Sequence, residues 1–248
     1  EMGLPQIIIN FRTAGSSAVR RSARGQAVLL AEGEKAELYS FSEAEQAESA
    51  GLAEDCRRLL RLCFLGGPAK VLLYRYPKGE EAAALARCAP AAEGGWLCAP
   101  QMDAQTVTAF VKSKRAEGRP LRAVVSSETG PDCAGIVNLT TQGITVLLEG
   151  KTESVDTADY CARIAGILAG LSLRESATYY PLPEVTGFVR SQDEEADIAA
   201  GRLILDQGSE GARIARAVTS LTTLSQPGDS AFQKIKIAEG VDLIRADI

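Results

Sequence analysis

Histidine is absent from the sequence of 248 residues. Without it, neither a Ser–His–Asp nor a Cys–His catalytic site can form, and the commonest general base and metal ligand is missing. Carboxylate, lysine or tyrosine chemistry would survive this loss. The sequence therefore disfavours an enzyme, but leaves open a cytosolic α/β enzyme or nucleotide-binding module that uses carboxylate or lysine chemistry.

Long apolar runs are also missing, since none approaches the ~20 residues that cross a bilayer. The N-terminus lacks a basic stretch followed by an apolar one, so we expect no secretory signal. The net charge is −5, which gives no electrostatic reason to bind nucleic acid or an anionic membrane. We therefore expect no nucleic-acid partner and no membrane insertion.

Paired cysteines are missing too. The chain has six scattered cysteines, none in a CxxC pair: Cys56, Cys63, Cys88, Cys98, Cys133 and Cys161. Close cysteine pairs are typical of zinc and redox sites. We therefore expect reduced, buried thiols in a cytosolic compartment, with no disulfide, metal or cofactor.

Phosphate-binding and acid–base motifs are weak. The segment EGKT at residues 149–152 resembles the end of a phosphate-binding loop, but Thr145 stands where the first glycine is required. Acidic residues at 80–81 and 193–195 fit the starts of helices, where they complement the helix dipole. Lys112, Lys114 and Arg115 fit a solvated helix face.

Strand-like and helical segments alternate from residue 25 onwards. The strand-like segments are QAVLLAEG, AELYSFS, KVLLYRY, WLCAP and LRAVVSS, and the helical ones are LAEDCRRLLRLCFLGG, EEAAALARCA and DAQTVTAFVKSKRAEG. Asp103 is predicted to cap the last helix and Gly118 to end it. GIVNLTTQGITVLLEG is either a hairpin or two separate strands. This pattern predicts an α/β fold with a mixed, mostly parallel sheet and helices on both faces.

A helix predicted over residues 157–172 combines an apolar stripe with Ala165, Gly166, Ala169 and Gly170. Such small residues let another backbone come close, which predicts tight packing on the sheet. A polar loop follows, containing the rings of Tyr179, Tyr180, Pro181 and Pro183. The loop is either the wall of an active site or a surface that another copy contacts.

The two ends of the sequence differ from the middle. Ile7, Ile8, Ile9 and Phe11 form an apolar strand-like segment, and a small, polar and basic stretch follows it. This strand either lies at the edge of the chain's own sheet or is donated to a neighbouring subunit. The last segment is helical and stops without a cap, so we expect the natural chain to continue.

Several segments, in order along the chain, resemble the tail sheath proteins of contractile-tailed bacteriophages. They are GLPQIIINF, FLGGPAKVLLY, GIVNLTTQGI, YCARIAGILAGLSLRESATYYPLPEV, AGRLIL, AVTSLTT and KIKIAEGVDLIRADI. The resemblance is to the short form found in prophages of Gram-positive bacteria, and sheaths of R-type bacteriocins and contractile injection systems are similar.

The resemblance implies a division of the chain. Residues 1–24 would be an extended N-terminal arm and residues 25–173 a subtilisin-like, non-catalytic core. Residues 174–248 would continue the core into a C-terminal domain that is incomplete here. The arm residues Ile7, Ile8, Ile9 and Phe11 and the assembly loop of Tyr179, Tyr180, Pro181 and Pro183 would contact other subunits.

The resemblance also implies a function without catalysis. Sheath subunits polymerise as stacked, usually hexameric rings around an inner tube, then contract and drive the tube through a cell envelope. The implied partners are other sheath subunits, the inner tail tube protein, and the baseplate and tail terminator proteins. The implied location is the virion tail, assembled in the cytoplasm of the bacterial host.

Overall fold

Strands and helices alternate along the chain in a computed structural model that describes residues 25–247. The predicted arm strand, with Ile7, Ile8, Ile9 and Phe11, lies outside the described residues. The strands are β1 (Gln26–Glu32), β2 (Glu37–Phe41), β3 (Lys70–Tyr76), β4 (Trp96–Cys98), β5 (Ala123–Val125), β6 (Ile136–Leu139), β7 (Ile144–Leu148), β8 (Lys151–Val155), β9 (Val185–Gly187), β10 (Arg202–Leu203), β11 (Leu205–Gly208) and β12 (Gly211–Ile214). The helices are α1 (Ala44–Ser49), α2 (Glu54–Phe64), α3 (Glu81–Ala92), α4 (Ala104–Ala116), α5 (Thr157–Gly170), α6 (Glu194–Ala199) and α7 (Ile235–Asp247), with a 3₁₀ turn at Asp229–Gln233 before α7. None of these helices is long and apolar enough to cross a membrane.

The main sheet has seven strands in the order β10-β6-β5-β4-β1-β3-β2. All neighbouring strands pair in parallel except β2, which pairs antiparallel with β3 at one edge. Parallel neighbours need crossover connections. Helices supply the crossovers from β1 to β3, from β3 to β4 and from β4 to β5, whereas residues 126–135 join β5 to β6 without a helix. The predicted α/β fold with a mixed, mostly parallel sheet is therefore confirmed.

The remaining strands form two smaller sheets. One has the order β8-β7-β9, and the other is the β11–β12 hairpin. Because β6 and β7 lie in different sheets, the alternative of two separate strands is correct for this segment. The EGKT segment is a hairpin turn, since Glu149 and Gly150 connect β7 to β8 with φ angles of 51° and 78°. Such a two-residue turn needs positive φ at both positions.

Two hydrophobic cores lie on opposite faces of the main sheet. Alternate residues of β1 belong to different cores: Leu29 packs with residues of α2 and α5, and Leu30 packs with residues of α3 and α4. Both leucines are fully buried. Since β1 is an interior strand and is covered on both sides, its residues 27–31 are all apolar rather than alternating.

Helix α5 crosses α2 at a distance that only glycine permits. A Cβ atom on Gly166 would lie 1.9 Å from the carbonyl oxygen of Cys63, and one on Gly170 would lie 2.2 Å from the carbonyl oxygen of Gly66. The other side of α5 packs on β1, β4 and β5. The small residues of α5 therefore allow a second helix, α2, to approach closely. This contact is additional to the predicted packing of α5 on the sheet.

Helix α7 is joined to the core by buried ion pairs. Arg115 donates two hydrogen bonds of 2.8 Å to the carboxylate of Asp242, and Arg122 lies 3.0 Å from Glu239. The guanidinium of Arg122 also lies over the ring of Trp96 at 5.1 Å, and burial lowers its pKa. The prediction that Arg115 belongs to a solvated helix face is therefore wrong, because its guanidinium is largely covered and pairs with the buried carboxylate of Asp242.

We expect Gly166→Ala to lower the free energy of unfolding by about 1–3 kcal/mol or more, because the new methyl group collides with the backbone of α2. Gly240→Ala is the matched control, since Gly240 is also helical and a Cβ there would meet no atom within 4 Å. This control should stabilise the protein by about 0.5–1 kcal/mol. Urea denaturation measures both, and equal effects of the two substitutions would contradict the packing argument.

Candidate functional site

A small pocket lies at the carboxyl ends of β4 and β5, the side of a parallel sheet where α/β proteins commonly bind ligands. Its lining is mainly apolar, with the thiols of Cys98 and Cys161 and the hydroxyl of Ser126 as its chemically active groups. Burial raises the pKa of both thiols well above the ordinary value. Since a thiolate is the reactive form, these thiols are held in the unreactive state.

The cysteines as a set behave as buried apolar side chains. All six are buried free thiols, and burial raises the pKa of Cys63 to about 12 and that of Cys56 to about 11. Within residues 25–247, no group of three or more His, Cys, Asp or Glu side chains is placed to hold a metal ion.

The polar loop after α5 runs beside β12 and forms one isolated antiparallel bridge with it, between Pro181 and Arg213. The amide of Tyr179 donates to the carbonyl of Ile214 (2.8 Å), and the amide of Ile214 donates to the carbonyl of Tyr180 (3.0 Å). The amide of Leu182 then donates to the carbonyl of Ala212 (2.9 Å). Main-chain hydrogen bonds thus hold the loop against β12.

A buried polar cluster fixes the far end of this loop. Glu184 accepts a hydrogen bond from the hydroxyl of Tyr160 at 2.6 Å and one from Nε of Arg163 at 2.7 Å. Burial and the neighbouring carboxylate raise the pKa of Tyr160 well above its ordinary value. Burial alone would lower the pKa of Arg163, but Glu184 outweighs it and the pKa is raised. The guanidinium also lies 5.7 Å from the ring of Tyr180.

The outer face of the loop presents rings to solvent. Tyr179 is 59% exposed, and Pro181 and Pro183 are exposed as well. Tyr179 adopts a φ of 60°, a left-handed conformation that is uncommon for a bulky residue. The guanidinium of Arg213 stacks on its ring at 4.3 Å and is fixed by a 2.8 Å contact with Asp206. A strained and exposed aromatic residue that its neighbours hold in place is a reason to look for function.

The predicted loop residues therefore divide into two groups. Tyr179, Pro181 and Pro183 face outward, whereas Tyr180 is half-buried beneath Arg163. Sequence reasoning missed Arg163, Glu184 and Arg213. A signal existed for Arg163, because a single arginine among the small and apolar residues of a buried helix requires an acidic partner.

We expect Glu184→Ala to lower the free energy of unfolding by about 3–5 kcal/mol, because it leaves the charge of Arg163 buried and unpaired. Glu210→Ala, at an exposed position, is the control and should change this free energy by less than about 0.5 kcal/mol. Adding Arg163→Met to Glu184→Ala should recover part of the loss. Strictly additive losses in this double-mutant cycle, followed by urea denaturation, would show that the pair is not coupled.

Comparison with known proteins relates the whole chain to phage sheaths, although no family model matches it. The chain is 28% identical to the tail sheath protein of Clostridium phage phiCD119, over 99% of this chain and 71% of that protein. It is 26% identical to the tail sheath protein of Staphylococcus phage Twort, over 63% of this chain and 30% of that protein. The second relative is thus matched over less than a third of its length.

Solved structures share the fold. The sheath tail protein of Desulfitobacterium hafniense superposes with a TM-score of 0.75 at 15% identity, covering 97% of this chain and 81% of that chain. The helical sheath of the anti-feeding prophage in its contracted state superposes with a TM-score of 0.67 at 14% identity, covering 100% of this chain and 75% of that chain.

The sequence similarity and the shared fold agree with the resemblance drawn from the sequence segments. Sheath proteins are structural and non-enzymatic, which decides against the alternative of an α/β enzyme or nucleotide-binding module. The pocket at the end of the main sheet, with its protonated thiols, is in keeping with this. The chain is therefore similar in sequence to the tail sheath proteins of phages, and it shares its fold with the sheath of a contractile injection system.

Proposed function

We propose that this sheath subunit polymerises as stacked, hexameric rings around an inner tail tube, and that the sheath contracts to drive the tube through a target cell envelope. The fold shared with the contracted sheath of the anti-feeding prophage carries the proposal, since that match extends over the whole chain. The partners are other sheath subunits, the tail tube protein, and the baseplate and tail terminator proteins. Assembly takes place in the bacterial cytoplasm, and the product is the virion tail.

In this proposal the chain has three parts. Residues 1–24 are the arm, residues 25–173 form a subtilisin-like but non-catalytic core, and residues 174–248 extend the core towards a C-terminal domain. The sheet and two-sided core of the described residues suit a rigid body, because their apolar residues are packed on both faces. Contraction then moves whole subunits against one another and leaves their interiors unchanged.

The arm connects subunits by strand addition. Ile7, Ile8, Ile9 and Phe11 are four large apolar side chains within five positions, and full burial of each contributes about 1.5–3 kcal/mol. The following stretch of small, polar and basic residues suits a tether. Main-chain hydrogen bonds to a neighbour's sheet supply affinity, and pockets for alternate side chains set the register.

The assembly loop provides a contact of a different kind. Its rings are presented on a backbone that β12 and the Tyr160–Arg163–Glu184 cluster already hold in place. A surface that is ordered before it meets its partner loses less conformational entropy on binding. Tyr179 is the residue that we assign to this contact, because it is the large exposed ring of the loop.

We expect Ile8→Pro in the full chain to prevent formation of sheath tubes while the α/β core still folds, because proline removes a main-chain donor from the arm strand. Ser17→Pro, in the tether, is the control and should leave assembly intact. Negative-stain electron microscopy counts tubes, and circular dichroism verifies the fold. Sheaths of normal length and contraction from the Ile8→Pro protein would refute strand donation.

We expect Tyr179→Asn to reduce the yield of tubes while changing the free energy of unfolding by less than about 0.5 kcal/mol. Asparagine tolerates the left-handed backbone, so the loss is confined to the ring. Leu224→Asn is the control, since Leu224 is also apolar and 47% exposed but lies outside the loop. If the two substitutions gave the same yield of tubes, Tyr179 would have no part in assembly.

A further inference from the structure

The small sheet β8-β7-β9 has one face on the core and one face towards solvent. Residues that pair directly across antiparallel strands lie on the same face of a sheet. Ile144 and Val155 are such a pair, and both are buried in the core. The opposite face, which we call the outer face, is formed by alternate residues of β7 and β8 and by one residue of β9: Thr145, Leu147, Thr152, Ser154 and Thr186.

The charged residues of β8 do not lie on this outer face. Lys151 pairs with Leu148 and Glu153 with Val146, and both of these β7 residues are buried on the core side. The five outer residues are all uncharged, and the largest of them, Leu147, is 48% exposed. Charged residues are the ones most often exposed, so a face that always meets water would be expected to carry some of them.

Charged residues appear instead near the margin of the outer face. Glu149 lies in the turn that joins β7 to β8, and Arg190 follows the end of β9 by three residues. Both side chains are largely exposed, and their nearest partners of opposite charge are 3.8 Å away. A centre without charge and a charged, solvated rim are typical of protein–protein contacts.

The outer face adjoins the assembly loop. The amide of Leu147 donates a hydrogen bond of 2.7 Å to the carbonyl of Glu184, which directly follows the exposed ring of Pro183. The hydroxyl of Thr186, two residues further on, donates to the hydroxyl of Thr145 at 3.1 Å. The end of the loop is thus attached to the middle strand of the small sheet, beside its outer face.

We infer that the outer face of the small sheet is a contact surface for a second copy of this chain, continuous with the assembly loop. The inference rests on the proposed function, because polymerisation brings copies into contact. Copies that each carry a net charge of −5 repel one another. A face without charge is where two of them can meet with the least repulsion and without the loss of hydration that buried charges suffer. A cationic partner would instead be attracted to exposed carboxylates.

An ordinary solvated face predicts something different. Threonine is favoured in strands for its shape alone, so Thr145, Thr152 and Thr186 could serve only the folding of the sheet. A solvated face accepts a charged side chain without consequence. A contact surface does not, because the new charge would be buried against the second copy without a partner.

The first test places the photo-cross-linker p-benzoylphenylalanine at position 147 of the full chain. Irradiation of the purified protein under conditions that favour polymerisation should give a covalent dimer on a denaturing gel. Position 65 is the control, since Leu65 is 46% exposed but lies at the end of α2. The cross-linker there should leave the chain monomeric on the gel. If the protein labelled at position 147 fails to fold, the cross-linker is placed at position 152 instead.

The second test compares Leu147→Lys with Leu65→Lys in the full chain. Each substitution lowers the net negative charge by one, so a loss of assembly cannot come from greater repulsion between copies. Leu147→Lys should reduce the mass of polymer that sediments by about tenfold, because a lysine is buried without a partner. Leu65→Lys should leave it unchanged, and circular dichroism should show the same fold for both.

A monomer-only gel for position 147, or equal effects of the two lysine substitutions, would overturn the inference. Electron microscopy of the same samples tests the proposed function separately. Tubes that form without a cross-linked dimer contradict only the contact surface. A dimer cross-linked through position 147 without any tubes supports the contact surface and contradicts polymerisation as a sheath.

Discussion

The contact between α5 and α2 at Gly66, Gly166 and Gly170 is the constraint on which the rest of the structure depends. Eleven residues of α5 are buried, so almost none of this helix is exposed to solvent. It lies between the main sheet on one side and α2 on the other, and a side chain at the crossing would force the two helices apart. The position of α5 in turn sets where the loop after it begins.

Buried ion pairs fix the relative orientation of secondary-structure elements, which apolar packing alone would allow to vary. Arg163 with Glu184 joins α5 to the start of β9, and Arg115 with Asp242 joins α4 to α7. A buried ion pair is not an efficient source of stability, because both charges lose their hydration. Its geometry is specific, however, since any shift leaves a charge unsatisfied. Both pairs connect segments of the core to segments after residue 173, which must keep a defined orientation if the subunit moves as one body.

The loop from Tyr179 to Pro183 shows how one short segment serves several requirements. Its backbone pairs inward with β12, its buried side chains anchor it, and its exposed rings form a surface. In the proposed assembly, the arm strand would contact a neighbour through main-chain groups and this loop would do so through side chains. If the proposal holds, a sheath would keep the main-chain contacts, on a tether, while it exchanges the side-chain contacts.

Features that depend on neighbouring residues could be predicted from the sequence. The alternation of strands and helices followed from hydrophobic periodicity, and Asp103 caps α4 as predicted, through a 2.9 Å bond from the amide of Thr106. The segments that resemble sheath proteins pointed to the proteins with which the comparisons agree, because they lie in order along the chain. The absence of histidine narrowed the possible chemistry by composition alone.

Contacts between distant residues were decided by the tertiary structure. The partners Arg115 and Asp242 are 127 residues apart, and no local pattern links them. Strand β8 was missed because its polar residues, such as Lys151 and Glu153, lie on an edge and bury little apolar surface. The glycines of α5 indicated a close approach without naming α2 as the partner, since a missing side chain carries no information about what fills the space. These features depend on which surfaces meet, and that is settled only when the whole chain packs.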